Sequence, residues 1–177
     1  LQISGGGDVT SKTGLIGTLA NSTGTATVSG AGSTWITTSS AIVVGSAGNA
    51  SLTIENGATV NSGKGVYDSI GFGATSTSTA IVTGPGSNWI NSFGLRVAGF
   101  GSGTLRVENG AVVNSGLAVI AEHAGSIGNV TVTGTGSTWA AGLNLPVGGL
   151  GAATLTIAGG GTETGAASTT GNVQGFG

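Results

Sequence analysis

Few side chains in this sequence can do acid–base or metal chemistry, and their spacing decides what they are able to do. Of 177 residues, six are Asp or Glu, four are Lys or Arg, one is His and none is Cys. Glu55 and Glu108 occupy the same place in two copies of one phrase, each followed by Asn and Gly. Two matched carboxylates are the equipment of glycosidic-bond cleavage. If the copies stack as strands two layers apart, however, the carboxylates lie about 9.6 Å apart. That is near the upper end of the ~6.5–9.5 Å that an inverting glycosidase uses, and neither has an evident proton-transfer partner or coordinated cation. Both read as corner or solvated-face carboxylates. His123, next to Glu122, is the only imidazole, and with no Cys to join it the chain offers no zinc-type ligand set, so it reads as an exposed loop histidine. A calcium-binding β-helix repeat needs an Asp in every coil, whereas only Asp8 and Asp68 are present. The GFGSG run from Gly99 to Gly103 has no helix after it to cradle a phosphate, and GxSxG is absent. The expectation is therefore a protein that is not an enzyme, with no catalytic, cofactor-binding or metal-binding residue assigned and no cofactor.

The elements that would hold any site follow from composition. Gly accounts for 38 residues and charged residues for 6% of the chain, against averages of about 7% and about 25%. Each Gly inside a helix costs ~1 kcal/mol relative to Ala, so the fold must be β. Gly has no three-residue period and there are 2 Pro, which excludes collagen; Val, Ile and Leu recur throughout, which disfavours disorder. A formal net charge of −2 gives no electrostatic footprint for nucleic acid or an anionic membrane. No charged segment precedes an apolar stretch at the start and no apolar run approaches the length of a membrane span, so neither a signal peptide nor a span is read, and the chain reads as a piece of something longer.

The organising feature is a repeat. Thr25 to Trp35 reads TATVSGAGSTW, Thr79 to Trp89 TAIVTGPGSNW and Asn129 to Trp139 NVTVTGTGSTW; between them Leu52 to Gly63 reads LTIENGATVNSG and Leu105 to Gly116 LRVENGAVVNSG. The two phrases are versions of one another. Aligning Ile3, Val28, Ile54, Val82, Val107, Val132 and Ile157 gives steps of 25, 26, 28, 25, 25 and 25 residues. Two residues after each anchor stands Gly or Asn, the residues that enter left-handed backbone most cheaply. A second apolar station holds Val9, Trp35, Val60, Trp89, Val113, Trp139 and then Glu163; a third holds Ile16, Val44, Ile70, Val97, Ile120, Val147 and Val173.

Three short apolar stations per ~25 residues, each followed by a corner, describe one coil of a parallel β-helix, a β-solenoid with three short strands per coil. About seven such coils fit the length, giving a rod roughly 34 Å tall at ~4.8 Å per layer. Ala74 to Ser78 (ATSTS) is expected to bulge from a corner as a polar loop. Trp35, Trp89 and Trp139 read as buried or half-buried fillers alternating with Val; a one-residue slip would instead bury Ile36 and Ile90 and expose the Trp rings as a ladder for sugars or a partner. An outward Thr array would suit ice binding, but Glu55, Arg106 and Glu108 interrupt it with charge. Arg106 and Glu108, both outward by alternation, are placed to pair.

These alternating VxGxGSxW and LTIENGAxVNSG phrases resemble the passenger repeats of bacterial type V autotransporters, adhesin-like proteins, from Leu1 to about Gly165. The resemblance implies a right-handed parallel β-helix, export by type V secretion, and exposure at the outer membrane surface or release. Residues 1–177 would then form a single solenoid domain, a fragment of a longer passenger, touching the membrane only through a C-terminal barrel that this sequence lacks. The function expected is a structural and interaction segment, an adhesin-type rod or stalk, whose partners would be a host cell surface, extracellular matrix or like molecules through self-association, and not nucleic acid. Two other roles fit the same repeats: an extracellular fibre subunit polymerising end to end through uncapped coils, and a released ligand for a host receptor.

Overall fold

In a computed structural model the chain is an all-β parallel solenoid of about six turns. The structure describes every residue except Lys64, Ala166, Thr170, Gly171, Phe176 and Gly177, and the side chains up to residue 165. Every strand pairing runs parallel to its neighbour one coil away. One side of the prism is an eight-stranded sheet built from Gln2–Ser4, Thr23–Ser29, Asn49–Glu55, Thr77–Thr83, Ser102–Glu108, Ile127–Thr133, Ala152–Ala158 and Asn172–Gly175. A second sheet, bent along its length, forms the other two sides; Asn88–Val97 and Val112–Ile120 cross the bend without a break.

The stations stack in the order their spacing predicts. On the first side the register joins Ile3 to Val28, Ile54, Val82, Val107, Val132 and Ile157. On the second it joins Val9, Trp35, Val60, Trp89, Val113, Trp139 and Glu163, and on the third Ile16 through Val147. The third column then departs from the expectation. Thr169, not Val173, pairs with Val147, and Val173 lies beside Leu155 on the first side. The last coil is shorter than 25 residues, so a spacing carried forward from earlier coils lands one side too far along.

The Trp rings are inside, at 4, 0 and 0% exposure for Trp35, Trp89 and Trp139, while Ile36 and Ile90 face outward. Why Trp and Val alternate is visible in the neighbouring inward column. Ala26, Leu52, Ala80, Leu105, Val130 and Leu155 stack there, out of phase with the Trp column. A coil with Trp carries Ala or Val, and a coil with Val carries Leu, so each layer is filled to similar volume, as close packing requires. The ~50-residue period is thus a packing period, two coils long. Each indole also needs a hydrogen-bond acceptor in a core that offers few. Trp35 Nε1 donates to Ser11 Oγ at 3.2 Å and Trp139 Nε1 to Ser115 Oγ at 3.1 Å, each in the adjacent coil.

The two phrases differ because they make two corners. In ENG, Asn56 and Gly57 both have positive φ, 57° and 81°, and the Ala58 amide closes the turn onto the Glu55 carbonyl. In GxGS the corner is one residue longer, and the serine closes it. Ser137 Oγ donates to Thr133 O at 2.7 Å and accepts from Gly110 N of the adjacent coil at 2.9 Å; Ser33 does the same with Ser29 O and Gly6 N. The serine therefore satisfies polar backbone that a buried corner would otherwise leave unpaired.

Only the first half of the ATSTS stretch is the expected corner loop: Ala74 and Thr75 form an exposed turn. Thr77–Thr83 is a strand, and Ser76 and Ser78 point inward, bonding each other at 2.8 Å while Ser78 Oγ accepts from Ala50 N. Mutual hydrogen bonding lets two hydroxyls replace apolar side chains there.

Candidate functional site

The residues weighed for chemistry are dispersed. Glu55 and Glu108 share one outward column with Thr83 between them, two layers apart. Glu108 takes the Arg106 guanidinium at 2.8 Å; with Arg106 half exposed, the pair is worth ~0.2–1 kcal/mol and serves solubility. Among the described residues no three of His, Cys, Asp or Glu gather to hold a metal ion. His123 sits at an exposed corner, its Nδ1 3.3 Å from Gly99 O and 3.4 Å from a Glu122 oxygen, with its ring stacked on Phe100 at 3.9 Å between centroids.

Two clusters were not singled out in the sequence. The first surrounds Asp68, which alternation from Ile70 places inside. Its column is otherwise Gly14, Ile42, Leu95, Ala118 and Leu145, and the carboxylate is wholly buried. Ile42 N donates to Oδ1 at 2.7 Å and Trp89 Nε1 to Oδ2 at 2.9 Å. Asp68 therefore gives Trp89 the acceptor that serines give the other two indoles. Burial pushes its pKa up from 3.8 to about 6, against hydrogen bonds from Ser62, Asn91, Ile42 and Trp89 that favour the charged form.

The consequence for stability has a definite sign. Below pH 3.8 both folded and unfolded chains hold this proton; between 3.8 and about 6 only the folded chain does; above that neither does. Stability should fall as pH rises through this window, by about 3 kcal/mol in all, and level off above it. Denaturant titrations at several pH values read the slope. Asp68→Asn should remove most of it; an unchanged slope in that variant would place the titration elsewhere. Glu163, at the end of the Trp column, is raised by burial as well and bends the profile in the same direction.

The second cluster lies on the third side, in the middle of the rod. The Arg96 guanidinium rests 4.8 Å from the Tyr67 ring centre and 5.8 Å from that of Phe72, and forms an ion pair with Glu122 one coil on. Tyr67 meets Phe93 edge to face at 5.1 Å and Phe72 meets Phe100 at 5.8 Å. Gly94 makes this possible, because a Cβ there would collide with the Tyr67 ring. The legible signal was the repeated Gly-Phe-Gly at Gly71–Gly73 and Gly99–Gly101. An aromatic held between two glycines right after an inward station can only stand at a corner, and the two corners stack.

This arrangement offers aromatic faces, one internally neutralised ion pair and an apolar surround. It brings no acid, base and nucleophile together on one bond. Compared with known proteins, the chain matches no family model, no curated protein and no solved structure at a significant level.

Proposed function

We propose that this chain is a rod segment of a secreted or surface-displayed passenger of the type V autotransporter kind, an adhesin-type stalk that spaces and carries a contact surface, without enzymatic activity. The observation that supports this most is the uninterrupted stack. Corresponding residues repeat about every 25 positions, each coil buries its apolar side chains only against its neighbours, and the rod can lengthen by adding coils without redesign of any layer. The alternation of GxGS and ENG corners, the basis of the resemblance to autotransporter passengers, has a mechanical reason in the Trp–Ala and Val–Leu layers. A fold alone does not fix a role; the dispersion of the carboxylates and the apolar third side favour contact over catalysis.

The test is attachment of cells displaying the parent protein with and without residues 1–165 to host cells, to matrix and to one another. The rod-and-contact reading expects several-fold weaker attachment after the deletion, with equal surface display. Equal attachment would reduce the segment to a spacer, and failure of the intact protein to reach the surface would remove the passenger reading.

A further inference from the structure

We propose that the third side of the rod is a self-association face, against which a second copy of this chain packs side by side. The proposal deepens the function above by naming the surface and the partner, and it rests on that reading of the rod.

Most of the large apolar side chains left exposed lie on this side or at its two corners. Val66, Phe93 and Leu143 line one corner; Phe72, Phe100 and Leu150 line the other, at exposures from 37 to 78%. Between these ridges the strand positions of outward parity are Leu15, Val43, Ser69, Arg96, Val119 and Pro146, stacked along the axis, with Ser69 buried beneath the Arg96 guanidinium. The outward columns of the first side differ in kind: Thr25, Ser51, Thr79, Thr104, Asn129 and Thr154 form one of them. An apolar strip running the length of a prism, against the single exposed Ile36 on the second side, marks a contact surface.

Its dimensions and charge select the occupant. Six layers at about 4.8 Å and strands of three to four residues with their corners make a strip of roughly 30 by 15–20 Å, about 500 Å². Two such strips face to face bury about 1,000 Å², the lower limit for a specific protein contact. In the middle of the strip Arg96 and Glu122 neutralise each other within one copy, so identical faces meet there without like-charge opposition, and Lys12 stands exposed at the far end of one corner. A sugar would need unpaired polar groups beside the rings, whereas these two are already taken by each other. A second copy repeats at the same rise, so its ridges meet the furrows of the first in every layer.

The chain has no cysteine, which makes the test direct. Val43→Cys and Val119→Cys on the third side, and Thr131→Cys on the first, are oxidised mildly at about 100 µM, a concentration suited to so small an interface. Parallel copies join like residues, and antiparallel copies bring Val43 to Val119, so the two third-side variants are run alone and mixed. Disulfide-linked dimer is expected from the third-side set and only background from Thr131→Cys. Sedimentation of the unmodified chain should show the 16.6 kDa species doubling with concentration, and Leu143→Asp with Leu150→Asp, both on exposed corners, should abolish the doubling while leaving the far-ultraviolet spectrum unchanged. A monomer at this concentration, equal cross-linking from both sides, or a dimer indifferent to the two Asp substitutions overturns the proposal. Cell attachment that persists when the face fails would leave the adhesive reading standing, and a dimer without attachment would do the reverse.

Discussion

Trp89→Ala should lower the unfolding free energy by about 3–5 kcal/mol, the range for removing a buried aromatic without refilling its space. The ring has no exposed surface, its coil carries only Ala80 opposite the large side chain, and the layers on either side are already filled by Leu52 with Val60 and by Leu105 with Val113. No neighbour is free to collapse into the hole. The substitution also strips Asp68 of its indole donor, leaving a buried carboxylate with one N–H fewer, which costs more than a lost bond between neutral groups. Trp35→Ala should cost less, because Trp35 donates to a hydroxyl and lies beside the partly open Val9. Denaturant unfolding of both variants reads the difference; equal losses would show that Asp68 contributes nothing to the Trp89 site. Val113→Trp, which would put three indoles in consecutive layers, is the converse case of overpacking.

Gly71→Ala should be of comparable size, about 2–5 kcal/mol, from left-handed backbone at ~1–2 kcal/mol and overpacking at ~1–3 kcal/mol. Left-handed backbone alone is tolerated at this station: Ala98 and Ala121, the residues after Val97 and Ile120, have φ of 65° and 56°. What differs at Gly71, with φ +69°, is the strand of the next coil, whose Ser102 carbonyl occupies the space a Cβ would take. Gly6, with φ +80° and nothing within 4 Å of its missing Cβ, isolates the conformational part; Gly6→Ala should cost only ~1–2 kcal/mol. Matching losses at the two glycines would mean that the close approach of coils at Gly71 relaxes freely.

The parts of the fold that could be read in advance are those fixed by period. Inward Val, Ile and Trp, the positive-φ corners after each first-side anchor and the outward pairing of Arg106 with Glu108 all follow from alternation within a strand and a ~25-residue repeat between strands, whereas His123, expected exposed, is half-buried against Phe100. What escaped depends on hydrogen-bond partners and neighbours that spacing alone does not show. Ser76 and Ser78 look like loop residues until each is seen to be the other's hydrogen-bond partner. Asp68 is inward by parity from Ile70, but nothing in the sequence says that an Ile42 amide and a Trp89 indole await it. Val173 fails because the final coil is shorter than those before it. The apolar third side was hidden in a composition that averages three unlike sides: Thr columns on the first dilute Leu15, Val43, Val119 and Pro146 on the third.

The chain climbs one strand spacing per coil. Cysteine pairs bearing spin labels in one outward column, Thr27 with Arg106, Thr27 with Thr131 and Thr27 with Thr156, sit three, four and five layers apart. Dipolar distance measurement should give separations rising by about 4.8 Å per layer, near 14, 19 and 24 Å before label length is added. Separations that fail to increase in that order, or that are the same for all three pairs, would contradict the solenoid and the functional reading built on it.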